Sequence, residues 1–254
     1  MIAALKTLPA FVISLSRTPA RLAAFRTLNA QIGLDIEHFE GTDGQRIQLH
    51  KLVKWGKITE TANYKPGMIG SALSHGALWE KAVEIGSPIL VFEDDVRLRR
   101  DFVAQAAALL AEAGDFDIVM FGFNTDHPVC AGLFPGCDGL VSFSLPYPKP
   151  EQMEAFAGAT ERPALLPLRG MFGGCAYAIS PKGAAALLKA CFPLDSRPVQ
   201  FSEGMRPFPA FSLNGMMNTA YRKLDAYIAF PPIALSPNDQ KATTTGGIAA
   251  GMKA

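Results

Sequence analysis

The sequence has few cysteines, and none of them stands in a pattern that suggests a cross-link or a zinc site. Four occur among 254 residues, at Cys130, Cys137, Cys175 and Cys191, without a Cys-x-x-Cys pair. That spacing excludes a zinc ribbon and offers no framework for a small disulfide-stapled domain. We expect buried or incidental thiols, and such usage is typical of a reducing compartment.

The sequence also lacks an excess of charge of either sign. It has 24 Lys and Arg against 23 Asp and Glu, which gives a formal net charge of +1. The whole molecule therefore has no electrostatic bias towards nucleic acid, and we expect no nucleic-acid partner. Only four histidines are present, at scattered positions. This disfavours a two-metal phosphohydrolase, which normally needs several His and Asp ligands around its ions.

No hydrophobic run is long enough to cross a membrane. Residues 1–15 are largely apolar, but they contain Lys6 and Pro9 and no cleavage site followed by a mature start. A bilayer span takes about 20 residues. We expect a cytoplasmic protein without a signal peptide or transmembrane helix, and peripheral contact with the inner face of a membrane stays open.

What the sequence does contain is an alternation of strands and helices. Hydrophobic residues make up 49% of the chain and the mean hydropathy is +0.16, which is enough for a large core. Apolar runs predict strands at 10–15, 36–40, 88–96 and 116–122, and helical spacing predicts helices at 19–32, 69–85 and 101–113. This order predicts a single α/β domain over residues 1–254, with a mostly parallel central sheet and helices on both faces.

The stretch 88–96 organises the rest of the chain. Four apolar residues, 89–92, run directly into Glu93, Asp94 and Asp95. The apolar run predicts a strand buried on both faces, and the acids at its end would repel one another if they were dry and unpaired. Open α/β sheets bind ligands at the carboxyl ends of their strands. Oxygen ligands select Mg²⁺ or Mn²⁺, which usually arrive with phosphate. The cluster predicts a divalent-cation site, with a solvated acidic loop as the alternative.

Two arginines follow the first predicted strand. Arg17 and Arg21 flank a Thr-Pro pair that resembles a helix cap and its first-turn proline. Guanidinium groups beside a helix N-terminus favour a diphosphate clamp, and plain surface arginines are the alternative. His75 falls in the middle of the predicted helix 69–85, where it either reaches the acids or packs in the core.

The second half of the chain is less regular. Residues 124–167 are rich in Pro, Gly and isolated aromatics, which predicts an irregular loop region over the site with a short helix near 151–157. Gly173 and Gly174 indicate a loop that enters a strand and lets a ligand or another backbone come near. The tail, residues 237–254, is polar and then rich in Thr, Gly and Ala, and we predict that it is mobile.

Several of these blocks together resemble glycosyltransferase family 25, which includes bacterial lipooligosaccharide galactosyltransferases and collagen galactosyltransferases. The run 11–15 with the two arginines looks like the opening block of the family, and the Asp-Gly turn at 41–44 stands where the family has a short turn. The most specific blocks are Gly67-x-x-Gly70-x-x-x-Ser74-His75-x-x-x-Trp79, which resembles G-x-x-G-C-x-x-S-H-x-x-x-W, and Leu90 to Asp95, which is similar to L-E-D-D. The glycine block Gly173 to Tyr177, followed by Ser180 and Ala184, is a further match.

The resemblance implies a GT-A type, Rossmann-like nucleotide-diphospho-sugar transferase fold, a UDP-sugar donor, Mn²⁺ or Mg²⁺, and inversion at the anomeric carbon. It assigns the metal to Glu93 and Asp95, with Asp239 completing the shell near the C-terminus. The residues that it places around the donor are Ser14, Leu15, Arg17, Arg21, Asp43, Gly70, Ser74, His75, Asp94 and Gly174.

The expected catalytic base is where the sequence departs from the family pattern. A family Asp in a P-V-D-like segment has two candidate counterparts, Asp195 and Asn214, and an Asn cannot act as a base. We take Asp195 as the first candidate for the general base and Glu203 as the second, with Glu93 near the donor sugar or the metal. Ser71 replaces the usual Cys of the Ser-His block.

These expectations combine into one hypothesis about function. The chain would be an inverting, metal-dependent enzyme that moves a hexose, in the first place galactose, from a UDP-sugar to a saccharide or glycolipid acceptor in lipooligosaccharide or surface-glycan synthesis. Two other classes stay open: a metal-dependent phosphohydrolase, and a nucleotide-sugar-binding module without turnover.

Overall fold

The computed structural model describes residues 1–239 and 243–245. Its α-helices are α1 (Ile2–Lys6), α2 (Pro19–Leu28), α3 (Leu49–Lys54), α4 (Pro66–Ile85), α5 (Phe102–Ala113), α6 (Pro150–Ala157), α7 (Pro181–Cys191) and α8 (Leu213–Met217). Its strands are β1 (Ala10–Ser14), β2 (Glu37–Glu40), β3 (Ile89–Glu93), β4 (Arg97–Leu98), β5 (Ile118–Phe123), β6 (Val129–Phe134), β7 (Cys137–Val141), β8 (Ala164–Gly170), β9 (Ala176–Ile179), β10 (Pro198–Val199), β11 (Phe208–Pro209), β12 (Ala226–Phe230) and β13 (Ala234–Leu235).

A mixed central sheet runs in the order β2-β1-β3-β9-β5-β12-β8-β6-β7, with β13 beside β5 and β4 beside β13. Strands β2, β1, β3, β5 and β12 all point the same way. Their carboxyl ends therefore share one edge of the sheet. The short pair β10 and β11 forms a separate sheet.

Strand β9 departs from the prediction of a mostly parallel sheet. It lies between β3 and β5 and pairs antiparallel with both, with Tyr177 opposite Val91 on one side and Met120 on the other. All four of its residues are buried. The sequence indicated a strand after Gly174, but a local sequence pattern carries no information about strand direction.

Helices cover both faces of the sheet, as predicted. Successive side chains of a strand point to opposite faces, so Val91 joins one buried cluster whereas Leu90 and Phe92 join the other. The Val91 cluster includes residues of α4 and α7, and the Leu90 cluster includes residues of α2 and α5. The α/β class with a helical layer on each face is confirmed.

Segment 124–167 is more regular than its sequence suggested. The short helix expected near 151–157 is confirmed as α6, but the loop interpretation of the remainder is wrong, because the antiparallel hairpin β6–β7 and the start of β8 lie there. The register of this hairpin shifts between Gly132 and Phe134. Such an irregularity breaks the period-two pattern by which a strand is recognised in a sequence.

Helix α7 begins with a side-chain cap and a proline. The Ser180 hydroxyl accepts a hydrogen bond from the Gly183 backbone N–H at 3.0 Å, and Pro181 occupies the first turn. A Cβ atom on Gly183 would lie 2.0 Å from the Asp117 carbonyl oxygen. The glycine therefore lets the first turn of α7 approach the residue that precedes β5.

The C-terminal tail is described in part. Residues 243–245 pass over α4, where a Cβ atom on Gly67 would lie 2.4 Å from the Thr244 carbonyl oxygen. Residues 240–242 and 246–254 lie outside the described residues, and so does most of the tail that was predicted to be mobile. Within the described ranges, no helix combines the length and the apolar character that a membrane crossing needs.

Candidate active site

A cleft opens at the edge of the sheet where the parallel strands end. It consists of two adjoining pockets. The central pocket is lined by Glu93, Asp95, Asn214 and the loop that precedes β9, and the β1 pocket is lined by the end of β1 and by Thr42. The two pockets share a wall formed by Arg21, Ser71, His75, Glu93, Thr244 and Thr245. The acid cluster thus lies in a cleft at the position that the sheet topology predicts for a ligand.

Both carboxylate oxygens of Asp94 accept hydrogen bonds within the protein. One of its carboxylate oxygens accepts hydrogen bonds from Arg21 Nε at 2.8 Å and Nη2 at 2.6 Å, and the other accepts from Ser14 Oγ at 2.7 Å. These bonds join the first turn of α2 and the end of β1 to the end of β3. Because both oxygens are engaged, Asp94 holds the cleft in shape and Arg21 in place.

The carboxylate of Asp95 is less fully hydrogen-bonded than that of Asp94. Its Oδ2 lies 3.4 Å from Arg21 Nη2, and its Oδ1 is buried without a hydrogen-bond partner. Burial, and next the negative charge of Glu93, raise the pKa of Asp95 to about 6. A buried carboxylate oxygen without a donor costs free energy, and a bound cation would supply what it lacks.

Glu93 is oriented by a chain of hydrogen bonds from the core. Trp79 Nε1 donates to Tyr177 Oη at 2.9 Å, and Tyr177 Oη lies 2.8 Å from His75 Nδ1. Since the phenol oxygen already accepts from the indole, its proton points at Nδ1, and the His75 proton then sits on Nε2, 3.4 Å from Glu93 Oε1. His75 therefore combines the two roles that the sequence offered as alternatives: its ring is buried in the core and it also reaches the acid cluster.

The cleft fits a divalent cation through two carboxylates. Mg²⁺ typically takes one or two carboxylates and fills its other positions with water and substrate phosphates, and Glu93 and Asp95 both line the central pocket. No group of three or more His, Cys, Asp or Glu suited to hold a metal occurs in the described ranges. Asp239 lines a neighbouring groove together with Asp95, so the structure does not assemble Glu93, Asp95 and Asp239 as a three-ligand site.

Arg17 and Asp43 pair with each other instead of lining the cleft. Arg17 Nε lies 3.1 Å from Asp43 Oδ1, and that oxygen also accepts from the Gln45 backbone N–H at 3.0 Å. Neither residue appears in the walls of the two pockets. Of the expected pair of phosphate-binding arginines, the structure brings only Arg21 to the acids.

The remaining donor-site residues divide into lining and packing positions. Leu15 lines the β1 pocket, and Gly174 lines the central pocket beside Asn214. Ser74 lines the β1 pocket and accepts a hydrogen bond from the Thr42 backbone N–H at 2.8 Å. Gly70 is absent from both walls, and a Cβ atom there would lie 2.4 Å from the Thr42 carbonyl oxygen. The role of Gly70 is close packing of α4 against the loop at Thr42.

The two first candidates for the general base lie elsewhere. The Asp195 carboxylate is held by Arg197, whose Nη2 lies 2.6 Å from Oδ2, and it does not line the cleft. Glu203 is exposed and lines a separate surface pocket with Arg169 and Arg222. These positions do not fit proton transfer in the cleft, and the sequence offered no measure of distance that would have shown it.

The central pocket also contains residues that the sequence reasoning missed. Asp126, His127 and Phe172 line it together with Glu93 and Asp95. A signal for Asp126 was present, since it follows the end of the buried strand β5 much as Asp95 follows β3. Asn214, the alternative to Asp195, does line this pocket.

A known family model matches most of the chain. The family model described as "Glycosyltransferase family 25 (LPS biosynthesis protein)" matches residues 7–200. This range contains β1, the acid cluster, the glycine loop and β9.

Curated relatives match shorter parts of the chain. A "Glycosyltransferase 25 family member" of Drosophila pseudoobscura pseudoobscura is 31% identical over 125 residues, which is 44% of this chain and 20% of the relative. The one from Anopheles gambiae is 32% identical over 124 residues, 44% of this chain and 21% of the relative. A "Probable inactive glycosyltransferase 25 family member 3" of Bos taurus is 28% identical over 174 residues, 63% of this chain and 29% of the relative. The chain therefore spans about a fifth to a third of the length of these relatives.

Proposed function

Because the chain belongs to glycosyltransferase family 25, we propose that it transfers a hexose from a UDP-sugar to a hydroxyl group of a saccharide acceptor, with inversion and with the help of Mn²⁺ or Mg²⁺. The observation that carries the proposal is the cleft that combines Arg21 with the two lining carboxylates of Glu93 and Asp95. Galactose is our first choice of sugar. The word LPS in the family description supports a glycolipid acceptor in surface-glycan synthesis, and we expect a cytoplasmic location.

The donor would lie along the cleft with its nucleotide in the β1 pocket. That pocket offers the backbone at the end of β1 and the loop at Thr42, which suits a base and a ribose. Arg21 stands at the wall between the two pockets and carries the positive charge that a diphosphate needs. The same arrangement, at the carboxyl edge of the sheet, supports the GT-A type of donor binding.

A bound cation would be held by Glu93 and Asp95 and would stabilise the negative charge of the departing UDP as a Lewis acid. The protein contributes the geometry for this. Tyr177 and Trp79 orient His75, and His75 orients Glu93 through its Nε2 proton. Asp94 and Ser14 hold Arg21 at the wall of the cleft.

A panel of UDP-sugars with Mn²⁺, read by UDP release in the presence of candidate acceptor glycans, tests the proposal. We expect one donor to give acceptor-dependent release. Calorimetry should show UDP binding that weakens at least tenfold on chelation of the metal and in Asp95→Asn. Asp115→Asn, an exposed acid between α5 and β5, is the matched control and should bind UDP as the native chain does. Unchanged UDP affinity after chelation and in Asp95→Asn would rule out the metal role.

A second candidate, a nucleotide-sugar-binding module without turnover, is favoured by one specific observation. Asn214 lines the central pocket where a family Asp was expected, whereas Asp195 does not. Relatives named as inactive match 63% of the chain. Tight UDP-sugar binding with no release of UDP for any donor and acceptor would select this candidate over the transferase.

A further inference from the structure

Two groups of carboxylates face the central pocket from different strands. Glu93 ends β3, and Asp126 lies three residues beyond the end of β5, with β9 between these strands. Strands β3 and β5 run parallel to each other, so both groups stand at the same edge of the sheet. Two strand spacings separate the ends of β3 and β5 by about 10 Å.

Two adjacent glycines also line the central pocket. Gly173 and Gly174 precede β9, the strand that lies between β3 and β5. Gly173 adopts a positive φ of 67°, and a Cβ atom on it would lie 2.2 Å from Asn124 Cγ. The contact with Gly173 and a hydrogen bond from Thr125 Oγ1 to the Leu145 carbonyl oxygen at 2.6 Å anchor the loop that carries Asp126.

Asp126 is buried without a hydrogen-bond donor for one of its oxygens. Its side chain is 6% exposed, and its Oδ1 accepts no hydrogen bond from the described residues. The Nδ1 atom of the neighbouring His127 lies 3.1 Å from Oδ1. A buried acceptor that the fold leaves unsatisfied at the wall of a pocket is suited to receive a hydrogen bond from a ligand hydroxyl.

The surroundings of Asp126 suit a sugar. The His127 ring lies 4.9 Å from the Phe172 ring, centroid to centroid, and Phe172 packs against Phe208 and Phe211. Phe172 and Phe211 also line the central pocket. Aromatic faces carry partial negative charge, which attracts the C–H groups on the apolar face of a saccharide.

We propose that Asp126 is the general base that accepts the proton of the acceptor hydroxyl, and that the surface of His127, Phe172 and Phe211 holds the acceptor sugar beside it. This inference rests on the proposed transferase function. In the step, the acceptor oxygen forms a bond to the anomeric carbon as its proton passes to the Asp126 carboxylate. The bond from the anomeric carbon to the diphosphate oxygen breaks, and its electron pair leaves with UDP.

The other lining groups fit this role less well. Glu93 stands next to Asp95 and Arg21 in the group that would hold the cation and the diphosphate, and inversion requires the base on the opposite side of the anomeric carbon from the departing diphosphate. Asn214 has no proton-accepting carboxylate. Asp126 is a carboxylate that lines the same pocket from beyond the end of a different strand, β5.

The test uses the full chain with Mn²⁺ and the donor and acceptor identified by the UDP-sugar panel. Asp126→Asn should lower kcat about 100-fold or more, while its affinity for UDP stays within twofold of the native value. Asp126→Ala should regain UDP release on addition of sodium azide, because azide attacks the anomeric carbon without giving up a proton. Mass spectrometry should then detect the glycosyl azide. Asp115→Asn serves again as the control for removal of a carboxylate.

The outcomes separate this inference from the proposed function. No transfer by the native chain with any donor would overturn both. Native transfer together with an Asp126→Asn kcat within threefold of the native value would overturn the base and leave the transferase in place. Loss of UDP affinity in Asp126→Asn, or no glycosyl azide from Asp126→Ala, would also overturn the base, since Asp126 would then serve donor binding or the fold.

Discussion

Arg21 donates to Asp94 Oδ1 through both Nε and Nη2, at 2.8 and 2.6 Å. The contact joins the first turn of α2 to the residue that follows β3, across β1. Asp94 is 8% exposed, so a mutation of the arginine would leave a nearly buried carboxylate short of its main partner. Shape and electrostatics of the cleft therefore depend on the same pair.

The first prediction concerns this pair. Arg21→Gln should lower the free energy of unfolding by about 2–4 kcal/mol, because an unpaired buried charge is left behind. Arg17→Gln is the matched control, since its ion pair with Asp43 is more exposed and should contribute much less to stability. Urea denaturation of both variants measures the difference, and equal losses would contradict the structural role of Arg21.

The second prediction concerns the hydrogen-bond chain to Glu93. Tyr177→Phe removes the hydroxyl that receives the Trp79 N–H and reaches His75. We expect the free energy of unfolding to fall by about 1–3 kcal/mol for each buried polar group that is left without a partner. Tyr147→Phe, at an exposed tyrosine, should be neutral.

Nitrogen NMR of His75 checks the proton assignment in the same chain. The native protein should show the proton on Nε2, and Tyr177→Phe should give a mixture of the two tautomers. A native His75 that carries its proton on Nδ1 alone would refute the direction of the chain.

The third prediction concerns the close approach of α4 to the Thr42 loop. Gly70→Ala places a Cβ atom against the Thr42 carbonyl oxygen. We expect this overpacking to lower the free energy of unfolding by about 1–3 kcal/mol. Gly76→Ala is the control in the same helix, because its Cβ atom would meet only the end of the Phe192 ring. Alanine has a higher helix propensity than glycine, and this gain offsets the cost of the contact. Thermal unfolding that ranks Gly76→Ala as the less stable variant would count against the packing argument.

The fourth prediction gives the pH dependence of the Asp195–Arg197 pair. Hydrogen bonds from Arg197 hold the pKa of Asp195 below its ordinary value of 3.8. The pair therefore stabilises the folded state above the ordinary value, and this contribution disappears as the pH falls through the lowered value. Arg197 is 43% exposed, so the contribution should stay below about 1 kcal/mol.

Urea denaturation of the native chain and of Asp195→Asn across this acidic range measures the effect. The difference between the two proteins should be largest near pH 7 and should shrink below the ordinary pKa. The kcat of Asp195→Asn should remain within threefold of the native value. A loss of 100-fold would restore Asp195 as the base and remove Asp126 from that role.

Much of the fold followed from local pattern. The run before Glu93 predicted a buried strand, the helical spacing of 69–85 predicted α4, and the α/β class followed from the alternation of elements. Local patterns did not contain the direction of β9 or the hairpin β6–β7, because pairing direction depends on contacts between distant segments and a register shift hides the period of β6.

The sequence by itself determined that three acids end a central buried strand, and this alone indicated a cation and a phosphate. Only the tertiary structure decided which environment each acid has. Arg21 and Ser14 donate hydrogen bonds to Asp94, whereas Glu93 and Asp95 line the central pocket. The tertiary structure also left Asp195 outside the cleft and placed Asp126, the base that we propose, in the wall of the central pocket. The physical reason is that a residue type defines what chemistry is available, while proton transfer and metal binding depend on distances of a few ångströms between residues far apart in the chain.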